Sequence, residues 1–205
     1  MLKRIMKILL TLIVLFFSSS VFADDISDFQ IEGMSVGDSL LDYYSLTKIG
    51  EGIDNISKKN SKDQTFYLVN IRDKNFTEYE SLQFGLKEND RNFTIYYVAG
   101  GQFYKNISEC YEKMDMIVES ISGLLKFTKK TDYGIYSDPA DPSGESLFRT
   151  VYFDFQEDQG KGMDYISVGC TDWSKSYEDS YDWQDNLRVT IATAEFDYWQ
   201  NYLAF

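Results

Sequence analysis

The sequence predicts an α+β fold, an antiparallel sheet packed by helices, from three observations. Several short stretches alternate apolar and polar residues with a period of two, the pattern of half-buried antiparallel strands. One long stretch, Ile107 to Leu125, repeats apolar residues at three-and-four spacing instead, the pattern of a core-facing helix. The order helix–strand–strand–strand occurs twice along the chain.

The first 23 residues read as a secretory signal. Lys3, Arg4 and Lys7 form a basic start, Ile8 to Phe17 is apolar apart from Thr11, and Val21-Phe22-Ala23 supplies the small-residue cleavage pattern, with Ala23 at the cut. The apolar run falls short of the ~20 residues that a membrane-spanning helix needs. Residues 24–205 then form one domain, with possible halves 24–105 and 106–205.

In the mature part, Ser35 and Asp38 have the spacing of a variant capping box, and Val36, Leu40 and Tyr43/Tyr44 share one helical face to about Leu46. Asp54 to Gln64 is polar and reads as a loop. Strands are expected at Phe66 to Ile71, Ser81 to Lys87 and Phe93 to Ala99, with Gly100-Gly101 breaking the pattern. Asn106 and Glu109 open the long helix, whose stripe is Ile107, Cys110, Tyr111, Met114, Ile117, Val118, Ile121, Leu124 and Leu125. Lys129 to Ser146, with Pro139, Pro142 and Gly144, reads as a loop. Strands resume at Thr150 to Phe155, Tyr165 to Cys170 and Leu187 to Thr193. Thr193 can then cap a closing helix with Phe196, Trp199 and Leu203 on its apolar face.

The chain has two cysteines, and export into an oxidising compartment favours joining them. Cys110 shares the helical stripe and Cys170 alternates in phase with Ile166 and Val168. Both therefore face one helix–sheet interlayer, where a structural disulfide needs the Cα atoms within about 7 Å.

Charge and composition exclude several functions. The formal net charge is −13, and losing Lys3, Arg4 and Lys7 with the signal takes it to −16. Such a chain repels phosphate backbones and anionic lipid, which argues against nucleic-acid partners. There is no His, hence no His general base and no His zinc ligand. Gly100-Gly101 lacks the wider patterns of phosphate-binding loops, and Ser45/Lys48 has S-x-x-K spacing without a nucleophile elbow. No cofactor motif, metal site or catalytic residue is assigned.

The densest polar–aromatic stretch runs from Asp172 to Asp185. It holds Asp172, Trp173, Tyr177, Tyr181 and Trp183, the candidate binding surface, together with Glu178, Asp179, Asp182 and Asp185. Its hard oxygens suit Ca²⁺, yet the EF-hand spacing and its glycine are missing. Its carboxylates beside aromatic platforms are also the residue types of a glycosidase site. A solvated acidic loop with tryptophans anchored on the sheet is the third reading.

The string Ile31-Glu32-Gly33-Met34-Ser35-Val36-Gly37-Asp38-Ser39-Leu40-Leu41-Asp42-Tyr43 resembles the start of a group of exported bacterial proteins with no assigned function. Ser108 to Lys113, Val151 to Phe155, Cys170 to Ser174 and Asp185 to Val189 are similar to the same group. The resemblance implies export, a paired cysteine and no known chemistry. In element order alone the chain also resembles the small periplasmic lipoproteins of outer-membrane assembly and the tandem-repeat β-lactamase inhibitor proteins, though it lacks the lipid-bearing cysteine of the former. The sequence therefore points to a non-catalytic exported protein, periplasmic or secreted, that binds an unknown protein or glycan. A carboxylate-dependent hydrolase acting on glycans is the alternative.

Overall fold

Seven antiparallel strands form one sheet in the order β1-β2-β3-β7-β6-β5-β4. The computed structural model describes residues 25–125, 128–157 and 162–204, so the expected signal lies outside the described residues. The strands are β1 (Phe66–Ile71), β2 (Ser81–Lys87), β3 (Ile95–Phe103), β4 (Lys129–Ser137), β5 (Leu147–Glu157), β6 (Met163–Asp172) and β7 (Asn186–Ala192). The helices are α1 (Leu46–Glu51), α2 (Asn55–Asn60), α3 (Ile107–Leu124), α4 (Lys175–Tyr181) and α5 (Ala194–Tyr198). Two three-stranded meanders, β1-β2-β3 and β4-β5-β6, are joined because β7 returns to pair with both β3 and β6.

The main core lies between one face of the sheet and a layer made by α3, α1 and residues 26–40. From the sheet it takes the alternating sets Val151/Phe153, Ile166/Val168/Cys170 and Leu187/Val189/Ile191. From α3 it takes Cys110, Met114, Val118 and Ile121. Leu124 sits at the margin of that stripe and is exposed, because the 3.6-residue period has rotated it away. Asn106 caps α3, its side chain accepting the Ser108 N–H at 3.2 Å. Cys110 and Cys170 are joined by a disulfide across this interlayer, with Cα atoms 6.1 Å apart.

A second, smaller core lies on the opposite face, so helices pack against both sides of the sheet. There α5 and the turn after it bury Phe196, Trp199 and Ala204 against Phe66, Tyr97, Ala99 and Ala192. Thr193 caps α5 as expected, accepting the Phe196 N–H at 3.4 Å. The chain then widens into a π-turn over Trp199–Leu203, closed by the Ala204 N–H on the Trp199 carbonyl at 2.9 Å. The extra residue per turn rotates Leu203 out to 39% exposure and brings Ala204 in. Gly85 lies beneath Phe196, where a Cβ would overlap the ring.

Four further expectations differ from the structure. Residues 36–46 do not form one continuous helix, only a short 3₁₀ turn at Leu40–Asp42. The Ser35 N–H does reach the Asp38 carboxylate at 2.9 Å, but Gly37 adopts φ 90° and Leu40 donates its N–H to the Phe93 carbonyl at 3.0 Å. Tertiary pairing with the start of β3 thus takes the backbone groups that a helix would use. Residues 54–64 contain α2. Gly100-Gly101 lies inside β3, where Gly100 makes room for the Tyr79 ring. Finally, β4 lies where a loop was expected, as an edge strand whose side chains are almost all exposed and which therefore shows no apolar alternation. Its register shift between Asp132 and Ile135 blunts the free edge.

Candidate functional site

The stretch between β6 and β7 is built as a pinned helix rather than a free loop. Ser174 occupies the N-cap of α4, and its N–H donates to the Ser146 hydroxyl at 3.0 Å. Ser146 is fixed in turn by Asp141, whose carboxylate accepts the Ser146 N–H at 3.0 Å and hydroxyl at 2.6 Å. Asp141 also accepts the Ser143 N–H and hydroxyl at 2.9 and 2.8 Å. The Ser146 and Ser143 bonds hold the Asp141 carboxyl well below the usual carboxylate range. The Tyr177 hydroxyl donates to the Ala140 carbonyl at 2.8 Å, a second anchor on the same Asp138–Ser146 loop. Asp182 ends α4 in the left-handed conformation, φ 54°, and folds Trp183 back towards the helix.

These constraints bring four of the five expected surface residues into one aromatic cluster. Trp173 lies 4.4 Å from Trp183 and 5.9 Å from Tyr177 between ring centroids. Tyr181 stacks on Trp183 at 4.9 Å, and Phe148 adds its edge to Trp173 at 5.5 Å. Tyr181 and Trp183 remain 57% and 42% exposed. A cavity of about 410 Å³ opens beside them, lined by Trp173, Trp183, Arg72, Phe103 and Asn186. The Arg72 guanidinium lies 5.9 Å from the centroid of the Phe103 ring.

Asp172, the fifth expected residue, does not join the cluster. It alternates with Cys170 and so stands on the α3 side of β6. There burial pushes its carboxyl up, and the negative charge of Glu178 adds to the shift. Burial likewise pushes Asp185 up, reinforced by Asp172 and Glu178 and opposed by the Trp173 N–H that it accepts at 2.8 Å. Glu178 and Asp185 line a separate cavity of about 440 Å³ with Glu80 and Tyr104. Among the described residues no group of three or more His, Cys, Asp and Glu is placed to hold a metal ion.

The part of the sheet face that α5 leaves uncovered continues from the cluster. In cross-strand register it carries the rows Tyr152–Ser167–Thr190, which runs on to Ala99 beneath α5, and Thr150–Gly169–Arg188–Gly101. Arg188 donates to Gln83 Oε1 and to the Tyr97 hydroxyl, and Gln83 donates on to Asn70 at 2.8 Å. The expectations from sequence did not include Arg188, Arg72 or Phe148. Arg188 was findable: it alternates with Leu187 and Val189, so its side chain must leave the main core on the far face.

Comparisons with protein-family models, with curated protein sequences and with solved structures find no match to this chain.

Proposed function

We propose that this chain is a non-catalytic exported binding protein that docks a protein partner through the Trp173–Tyr177–Tyr181–Trp183 cluster. The observation carrying the reading is the exposure of Tyr181 and Trp183 on a rigidly buttressed support. Tyr, Trp and Arg dominate interface hot spots because they bury large areas with few torsions to freeze, and all three meet here. Asp182 lines the cavity beside the cluster, while Glu178 and Asp179 pair with Lys175 at 3.3 and 2.8 Å, so the fitting partner presents an apolar surface with a cation opposite Asp182. Export is supported by the signal pattern and by the Cys110–Cys170 disulfide, which suits an oxidising compartment. Among the described residues no helix is long and apolar enough to cross a membrane.

The test is affinity capture from envelope extract with the mature chain and with its Tyr181→Ala/Trp183→Ala variant. A stoichiometric partner retained by the former and lost by the latter, with the variant's disulfide and melting profile intact, supports the reading. Equal capture by both overturns it.

A second reading, a carboxylate-dependent hydrolase acting on glycans, is favoured by one observation. Asp185, whose carboxyl burial pushes up, shares a cavity with Glu178, a pair of acids of the kind a glycosidase uses. Release of reducing ends from polysaccharide that stops in Asp185→Asn would support it, and no release above background by the wild type would end it.

A further inference from the structure

On the uncovered sheet face, away from the aromatic cluster, lies a small cavity of about 190 Å³. Its shape follows from side-chain size along the strands. Ser167, Thr190 and Gly169 are short and make the floor, while Tyr152, Tyr165 and Arg188 are long and make the walls. Same-face neighbours along a strand stand ~7 Å apart, so these residues border a space about one sugar ring across.

Two features mark the space as more than a gap between side chains. Ser167 and Thr190, paired across β6 and β7, are only 8% and 4% exposed, yet neither hydroxyl has a hydrogen-bond partner among the described residues. No fully occluded side-chain oxygen in the described chain is left unsatisfied, so both hydroxyls open onto the cavity. Each hydroxyl is therefore free to meet water or the polar group of a ligand in the cavity. The second feature is charge. Arg188 forms no ion pair with any carboxylate among the described residues, in a chain of net charge −13, and its hydrogen bonds to Gln83 and Tyr97 both leave from Nη2. Its cross-strand neighbours, Gly101 and Gly169, have no side chains to cover it. On the same side, the Asp197 carboxylate is engaged by the Met163 N–H at 3.0 Å and by Asn201 at 2.7 Å.

We propose that this cavity binds a small hydroxylated carboxylate, of the size and chemistry of a single uronic-acid unit. Its carboxylate pairs with the free edge of the Arg188 guanidinium, its hydroxyls meet Ser167 and Thr190, and its ring lies against Tyr152 and Tyr165. A guanidinium fork matches a planar carboxylate with two parallel bonds. A dianionic phosphate finds only this one cation on a strongly acidic molecule, and a neutral sugar leaves the cation unanswered. The site goes beyond the protein-docking reading and uses none of its residues, so each can fail without the other.

The experiment is a ¹H–¹⁵N NMR titration of the mature chain with galacturonate, galactose and inorganic phosphate. Saturable shifts with galacturonate are expected at the Arg188 side chain and at the amides of Ser167, Gly169 and Thr190. Galactose and phosphate should bind at least about tenfold more weakly, and Arg188→Gln should weaken galacturonate by about tenfold or more. Thr190→Val, which keeps the volume and removes the hydroxyl, supplies a second variant and should weaken galacturonate and galactose alike. No saturable shift with galacturonate, tighter binding of phosphate, or undiminished binding by a folded Arg188→Gln overturns the proposal. If Arg188→Gln does not fold, undiminished binding by Thr190→Val overturns it instead.

Discussion

Glu32 shows how a motif singled out in the sequence can be structural. Ile31 and Met34 exchange backbone hydrogen bonds at 2.9 and 3.0 Å across a two-residue turn. Glu32 and Gly33 both take positive φ there, 51° and 80°, which explains the glycine. The turn throws the Glu32 carboxylate onto three successive N–H groups, those of Thr77, Glu78 and Tyr79, at 2.9, 2.6 and 3.0 Å. Burial alone would raise its pKa, but these bonds win and hold it below the ordinary value. Glu32→Ala should therefore cost about 1–3 kcal/mol in urea unfolding, and a loss within error of zero would show the loop to be held elsewhere. The pH dependence follows from opposing signs. Glu32 and Asp141 are depressed, so their contribution is present above the ordinary carboxylate range and lost as pH falls through their folded values. Asp172, Asp185 and Asp197 are raised by burial, so they favour the fold below that range and oppose it as pH rises through their folded values. The melting temperature should thus rise as the pH is lowered from neutral towards the ordinary carboxylate range and fall once the pH drops below that range. In Glu32→Gln the acid limb should be shallower; a flat profile would contradict these assignments.

At the scale of elements, periodicity was legible wherever burial imposed it. The bounds of β1 and β2 and the inward sets of β5, β6 and β7 follow from alternation, because one face of each meets the core. Cys110 and Cys170 were placed by the same reasoning, one on a stripe and one in strand phase. What was hidden had no burial signal or was decided at a distance. Nearly every side chain of β4 is exposed, so its only cue was pairing with β5. Residues 36–40 carry a helix-like spacing that buries Val36 and Leu40 correctly, while their backbone answers to Phe93 and Ile95. The π-turn after α5 changes which residue faces inward at the C-terminal end, something no fixed period anticipates. The disulfide fastens α3 to β6 over 60 residues of chain. The Cys110→Ala/Cys170→Ala double variant should lose about 2–5 kcal/mol and keep the sheet. Two free thiols in the denatured, non-reduced wild type would contradict the pairing.

Across the whole molecule, the two sheet faces are covered to different extents. One is closed by α3, α1 and the N-terminal segment; the other is half closed by α5 and left open from Arg188 to Trp183. The aromatic composition of Asp172–Asp185 was legible as a candidate surface. Its convergence was not, since that depends on the Asp141–Ser146–Ser174 relay from a loop about 30 residues earlier. The charge balance also acts at this scale. Asp and Glu outnumber Lys and Arg by 33 to 20, so raising NaCl from near zero to about 0.15 M should screen repulsion and raise the melting temperature by a few degrees. An unchanged or lower value would mean that the acids are locally compensated. The central claim is that the molecule works through its open face. Site-specific photo-crosslinking in cells tests it most directly, with the reactive side chain at Tyr181 or, as the control, at Met116, which is exposed on α3 beyond the closed face. The account predicts a discrete adduct from position 181 and none from position 116; adducts from 116 alone, or none from either, would contradict it.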